Sequence, residues 1–372
     1  MRVALVHDWL TGMRGGERCL HEFARLWPEA DIYTLIHVPG STSPLIEGRN
    51  IYASPLSRLP GAPRHYRKLL PLFPWAIEHF RLTDYDLVLS SSHAVAKGIR
   101  APSGATHVSY CFTPMRYVWD QADAYLGRGV RRWLSEPLAA GLRRWDRRTS
   151  SPERVQRFVA ISHTVADRIQ RHYGRDSDVV YPPVEVERFS VRPEGPDDFY
   201  LVVGGFVPYK REDLAIDAFA ELGLPLWIAG DGPGRAALEA RAPDNVRFLG
   251  RVDDAELADL YRRCRALIYP QDEDFGIVPV EAQASGRPVI SYGHGGATET
   301  VVPQGRGEAG GRAPTGVWFD EQTPRALIEA VRHFEATESE FEPTAIRTHA
   351  EWFRNERFHD EIRAVVARAM SA

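Results

Sequence analysis

The stretch Glu273-Asp-Phe-Gly-Ile-Val-Pro-Val-Glu281 holds two glutamates, one on either side of a short apolar run. It follows Ala266-Leu-Ile-Tyr-Pro270, which reads as a short buried strand. Pro279 suits the first turn of a helix, where its missing N–H costs nothing. Gly286 and Pro288 then end that helix. The expected order is strand, loop, short helix, strand. Phe275, Gly276, Ile277 and Val278 would offer backbone N–H groups at the helix N-terminus, where dipole and unpaired donors favour a phosphate. Glu273 and Glu281 could accept hydrogen bonds from sugar and ribose hydroxyls, so the stretch suits a sugar nucleotide.

Other residues of the right type stand where strands give way to helices. Lys210 precedes a helix expected from about Glu212 to Glu221, a point charge beside free N–H donors. Val3 to Val6 read as a first strand. Gly12, Gly15 and Gly16 then lie in a loop before a helix starting near Glu17, a common anion site in parallel α/β sheets. The loop does not fit Gly-x-Gly-x-x-Gly, so no nicotinamide cofactor is expected. Tyr85-Asp-Leu-Val-Leu-Ser90 and His107-Val-Ser-Tyr-Cys111 are further strands. They lead to His93 and to Phe112 and Arg116, at the strand ends where open α/β sheets build sites. Asp272-Glu-Asp274 has the form of a metal-binding Asp-x-Asp, but in an extended chain its carboxylates point to opposite sides. No metal is expected.

The elements that must position these groups alternate, strand then helix, through 372 residues, which suits two domains with separate cores. Hydrophobic content of 44% and charged content of 26% are ordinary for a globular protein, and a net charge of −4 gives no global pull toward nucleic acid. Cys19, Cys111 and Cys264 are too few and too widely spaced for a disulfide framework or zinc set. The N-terminus enters a strand without a signal-peptide pattern, and no apolar run of about 18 residues is present. A cytoplasmic protein is expected. Between Leu56 and Phe80, Arg64, Arg67 and Lys68 mix with Leu69, Leu70, Leu72, Phe73 and Trp75. The mixture suits either an interfacial surface or ordinary core helices, and its prolines argue against one long helix. Arg143, Arg144, Arg147 and Arg148 form a second basic cluster. Phe189 to Asp198 reads as a linker, and Phe341 to Met370 as a closing segment with Trp352, Phe353, Phe358 and Ile362 at helical spacing.

Glu-Asp-Phe-Gly-Ile-Val-Pro-Val-Glu-Ala, followed by Ser-Gly-Arg-Pro-Val-Ile and Gly293-His-Gly-Gly296, closely resembles the donor-site signature of retaining glycosyltransferases of family 4. The resemblance is strongest from Val202 to Val301. It implies an α/β, GT-B fold of two doubly wound Rossmann-like domains facing across a cleft. Residues 1–188 would form an acceptor-binding domain and 189–345 a nucleotide-sugar-binding domain, with 346–372 a helix crossing back. It further implies sugar transfer from a nucleoside diphosphate donor with retention, without cofactor or metal. Lys210 and the N–H groups near Gly276 would take the growing diphosphate charge, Glu273 the sugar and Glu281 the ribose. Arg251 would lie beside the base, and Gly15 and Gly16 would face the diphosphate. Two positions depart from the pattern: Gly205 stands where relatives carry a diphosphate-binding arginine, and Phe112 where they carry a histidine. Arg14 or Arg211 could restore the charge, and His93 the imidazole. The family suggests mannose from GDP-mannose and a glycan or lipid-linked acceptor, with peripheral contact at the inner face of the membrane. The departures suggest an alternative, a catalytically impaired homologue acting as a binding or partner subunit.

Overall fold

The computed structural model describes residues 1–120, 130–305 and 312–371. The chain divides into two compact units, Met1–Pro183 with Phe358–Ala372, and Val184–Arg357. Among the described residues the first is built on seven parallel strands: β1 Val3–Leu10, β2 Asp31–His37, β3 Ile51–Ala53, β4 Leu87–Ser92, β5 Thr106–Cys111, β6 Arg157–Ala160 and β7 Ser177–Val179. Their order is β3-β2-β1-β4-β5-β6-β7. The second has six: β8 Tyr200–Gly204, β9 Leu226–Gly230, β10 Val246–Gly250, β11 Leu267–Tyr269, β12 Val289–Tyr292 and β13 Gly316–Phe319, in the order β10-β9-β8-β11-β12-β13.

Both orders reverse direction once. The first sheet grows outward from β1 and then resumes at β4 on its other side; the second does the same at β8 and β11. At such a switch point the following connections leave to opposite faces and open a crevice at the strand ends, where α/β proteins bind ligands. The strands themselves are apolar because both faces are covered by helices. Every residue of β1 is buried, including His7 and Asp8.

Several boundaries differ from those expected. The first strand runs to Leu10, so His7 and Asp8 belong to it and not to the following loop. The helix begins at Gly15 and extends to Leu26, which makes Gly15 and Gly16 its first turn. The division between units falls at Pro183. Phe189, read as linker, is 4% exposed and packs on Tyr261. The closing segment is two helices, Pro343–Glu351 and Asn355–Met370, with Trp352 exposed at the break. Phe358 packs on Phe23 and Tyr110 of the first unit.

The section from Leu56 to Phe80 folds as four short pieces, Pro55–Arg58, Ala62–His65, Tyr66–Leu72 and Phe73–Glu78. Tyr66, Phe73 and Ile77 enter the core, whereas Leu59, Leu72 and Trp75 are exposed. Much of the second basic cluster is tied to neighbours: Arg148 pairs with Glu78, Arg143 with Glu136, and Arg147 lies over Trp119. Among the described residues no helix is long and apolar enough to cross a membrane.

Two buried histidines make the first unit sensitive to acid. His107 donates from Nδ1 to the Arg154 carbonyl and accepts the Ser90 hydroxyl at Nε2. His7 meets the Ser91 hydroxyl at 2.8 Å. Burial lowers both from 6.5 to about 4, so the folded state holds them neutral while the unfolded chain takes up protons. Their stabilisation is present above 6.5 and is lost as pH falls toward 4. Glu17, raised by burial to about 7, acts in the opposite sense between 4.5 and 7. Two groups outweigh one, leaving a net loss of about 2 kcal/mol between pH 6.5 and 5. Scanning calorimetry at pH 7 and pH 5 should find the lower melting temperature at pH 5.

Candidate active site

The switch point of the second unit gathers the residues singled out by the donor motif. β8 ends at Gly204. The chain then passes through Phe206, whose φ is +48° and whose N–H donates to the buried Glu212 carboxylate at 2.9 Å. A single turn, Pro208–Lys210, follows, with Arg211 in the left-handed region as cap of the helix Glu212–Leu222. This path places Lys210 beside the loop that leaves β11. There its ammonium bonds one oxygen of Glu273, while the Tyr269 hydroxyl donates to the other at 2.5 Å. Burial alone would depress the Lys210 pKa, but the Glu273 charge and hydrogen bond overcome it and hold the ammonium above its ordinary value.

Glycines shape the loop. Gly276, with φ +94°, caps the helix Ile277–Ala284, whose first N–H groups have no intrahelical acceptor. Gly296 accommodates the loop from below: a Cβ there would sit 2.2 Å from the Phe275 Cα, and its N–H donates to the Glu273 carbonyl at 2.7 Å. The Gly293–Gly296 run is therefore the seat on which the Glu273 loop rests. His294 adds a contact to Asp272 at 2.9 Å. Phe275 turns its ring into the core against Phe353, and Ile277 and Val278 are half-buried at the helix start. Glu281, 7% exposed, accepts the Tyr261 hydroxyl at 3.0 Å.

Three expected residues stand apart. Arg211 spends its guanidinium on Asp213 at 3.1 Å. Arg251 is exposed in a groove of about 540 Å³ with Trp227, Arg247 and Arg263, and no hydrogen bond joins it to Lys210 or Glu273. Among the described residues, and its two chain neighbours aside, Gly205 has no atom within 4 Å of where its Cβ would be.

The switch point of the first unit carries a second cluster. Asp8, fully buried in β1, accepts four backbone N–H groups, from His93, Ala94, Val95 and Ala96, at 2.7–2.9 Å. The His93 ring lies with Nδ1 3.2 Å from the same carboxylate and stands edge-on to Trp9. Burial lowers the His93 pKa. The Asp8 charge opposes this, and the charges of Arg116, Arg14 and Arg67 reinforce it. Phe112 lies 6.2 Å from both His93 and His7 between ring centroids. A Cβ on Gly16 would come within 3.3 Å of His7 and 3.5 Å of Phe112, so this position needs a small residue because of packing rather than positive φ. His93, Phe112 and Gly16 are thus brought together. Asp8 carries no motif, and its one sequence signal is an acid closely following an apolar run.

Two parallel sheets, each with charged groups at its switch point, define a doubly wound α/β protein of the kind that binds ligands at its strand ends, and likeness to solved structures places it in the GT-B class. The structure of Anabaena HepE in complex with UDP has that fold, with a TM-score of 0.69 at 16% identity, covering 99% of this chain and 100% of that one. The model for glycosyl transferases group 1 matches residues 183–349, and that for glycosyltransferase family 4 matches 13–188. The chain belongs to this family, the group 1 or family 4 glycosyltransferases. D-rhamnosyltransferase WbpZ of Pseudomonas aeruginosa is 34% identical over 169 residues, 43% of this chain and 42% of WbpZ. O-antigen chain mannosyltransferase C of Escherichia coli is 31% identical over 152 residues, 37% of this chain and 41% of that one. The chain thus spans about two fifths of the length of these curated relatives.

Proposed function

We propose that the protein transfers a hexosyl group from a nucleoside diphosphate sugar to a glycan or lipid-linked acceptor, with retention at the anomeric carbon. The observation that carries this is the Lys210–Glu273 pair at the β8–β11 switch point, beside the Gly276-capped helix. A diphosphate drawn to that helix start would take the Lys210 ammonium, and its growing charge on bond cleavage would be met by ammonium and N–H groups. Glu273 would then bind sugar hydroxyls, and Glu281 the ribose. Mannose from GDP-mannose is the favoured donor, in keeping with the mannosyl- and rhamnosyltransferases among its relatives. His93 and Arg116 would belong to the acceptor or donor-sugar side. Leu59, Leu72 and Trp75, exposed among Arg64, Arg67 and Lys68, would serve peripheral contact with a membrane carrying the acceptor, at its inner face. The diphosphate sugar is a co-substrate, and the chemistry needs no further cofactor.

The test is thermal shift and nucleoside diphosphate release with GDP-mannose, UDP-glucose, UDP-N-acetylglucosamine and dTDP-rhamnose. One donor that both stabilises the protein and is consumed establishes the transferase. Binding without turnover, with candidate acceptors present, favours the second reading, an impaired homologue acting as a binding or partner subunit. Gly205 and Phe112, at positions where the family pattern has arginine and histidine, are the observations behind it.

Gly205 also offers a gain-of-function experiment. Its φ is not positive and its Cβ direction is open, so an arginine fits without strain. Gly205→Arg should lower the Kd for the nucleoside diphosphate about ten-fold, the lower end of what a charge-assisted hydrogen bond supplies. Titration calorimetry against wild type reads this directly, and an unchanged Kd would show that position 205 does not face the phosphates.

A further inference from the structure

Both glutamates of the donor motif are held by a buried tyrosine from outside the motif. Tyr269, the last residue of β11, is 1% exposed and donates its hydroxyl to Glu273 Oε2. Tyr261, in the helix Asp254–Arg263, is fully buried and donates to Glu281 Oε2. At Glu273 the two oxygens are treated differently. Oε2 is tied to a rigid strand residue, whereas Oε1 is bonded by the flexible side chain of Lys210. The fit around the phenol is close: a Cβ on Gly276 would stand 3.1 Å from the Tyr269 hydroxyl.

We propose that Tyr269 is a positioning residue that keeps Glu273 in place when Lys210 leaves it for the donor diphosphate. The inference rests on the donor-site reading above. In the structure Lys210 and Glu273 neutralise one another, so each occupies the other's ligand-binding capacity. An arriving diphosphate carries more charge than one carboxylate and draws the ammonium away. An untethered Glu273 would follow its counter-ion, because opposite charges this close attract strongly in a half-buried site. Held at Oε2 by the phenol, the carboxylate stays and Oε1 is released to a sugar hydroxyl. Lys210 and Glu273 thereby pass from each other to phosphate and sugar in one exchange. Burial, followed by the Glu273 charge, raises the Tyr269 pKa well above its ordinary value, so the phenol keeps its proton throughout. Tyr261 gives Glu281 a tether of the same kind.

Tyr269→Phe and Tyr261→Phe, which keep ring and volume, separate this role from simple packing. The probes are GDP and GDP-mannose, or the matching pair for whichever panel donor is consumed, titrated by calorimetry with turnover followed by diphosphate release. Tyr269→Phe should leave GDP affinity within about two-fold of wild type, remove the extra affinity that the sugar confers, and lower kcat at least ten-fold. Tyr261→Phe should weaken GDP and GDP-mannose by the same factor. Adding Tyr269→Phe to Glu273→Ala, which removes the acceptor of the phenol, should cost nothing further, since the tyrosine acts only through that acid. An unchanged ratio of GDP-mannose to GDP affinity with unchanged kcat overturns the proposal, whatever happens to the melting temperature. Additive losses in the double variant overturn it too. A wild-type protein that binds no panel donor overturns the donor-site reading itself, a result visible before any variant is made.

Discussion

Lys210→Ala should lower kcat/KM for the consumed donor about a hundred-fold and weaken binding of the nucleoside diphosphate product. The group lost is an ammonium, 16% exposed, at the switch point of the second sheet. Removing one preorganised donor to a developing anion costs about two to three orders of magnitude in rate. Gly205 supplies no second cation, and Arg211 is engaged with Asp213, so no neighbour on that loop substitutes. The same change takes Lys210 from the Glu273 carboxylate, whose charge would then repel the phosphates of a bound donor. Lys210→Arg should recover only part of the loss, because a planar fork does not reproduce a point charge in a close-fitting turn. Diphosphate release and GDP titration read both quantities. A variant with wild-type kcat/KM would remove Lys210 from the mechanism.

Glu273→Gln should also lower turnover about a hundred-fold, yet bind the nucleoside diphosphate at least as tightly as wild type. The two variants therefore separate in opposite directions on product affinity. The amide keeps the size of the side chain and its carbonyl can still accept the Tyr269 hydroxyl, so the loop should keep its shape. What disappears is the charge that, on the proposed reading, would compete with phosphate for Lys210 and favour oxocarbenium-like charge on the sugar. If Glu273→Gln weakened GDP as Lys210→Ala does, the pair would be a structural salt bridge rather than an exchanging one. Melting curves should accompany both, since Lys210→Ala breaks a partly buried pair from one side and should destabilise the second unit.

Much of this was legible in the chain. The alternation of strands and helices, the short strand before Glu273, the helix ended by Gly286 and the position of Lys210 before a helix all follow from local signals. Apolar runs, proline at a first turn and glycine at a C-cap act over a few residues, and such signals survive in one dimension. The first strand looks shorter in sequence than it is, because His7 and Asp8 resemble loop residues. In the fold each is satisfied by the neighbouring β4 segment, His7 by the Ser91 hydroxyl and Asp8 by four backbone N–H groups that follow that strand. Gly15 and Gly16 look like a flexible loop, but they open a helix, and Gly16 is small because His7 and Phe112 pass close by.

The sequence alone marked out the candidate residues for a diphosphate and a sugar, because residue type and local order set charge, donor count and the helix start. Tertiary structure decided how those residues are held. Lys210 and Glu273 are 63 positions apart and meet only because β8 and β11 lie side by side. Tyr261, Tyr269 and Asp8 carry no motif, and their roles come from burial, which obliges each polar group to find a partner. Arg251 kept its expected place after β10 but formed no hydrogen bond to the Lys210–Glu273 pair, since position after a strand does not fix where a long side chain goes. Local physics proposes the groups; the strand order, which no short window contains, pairs them.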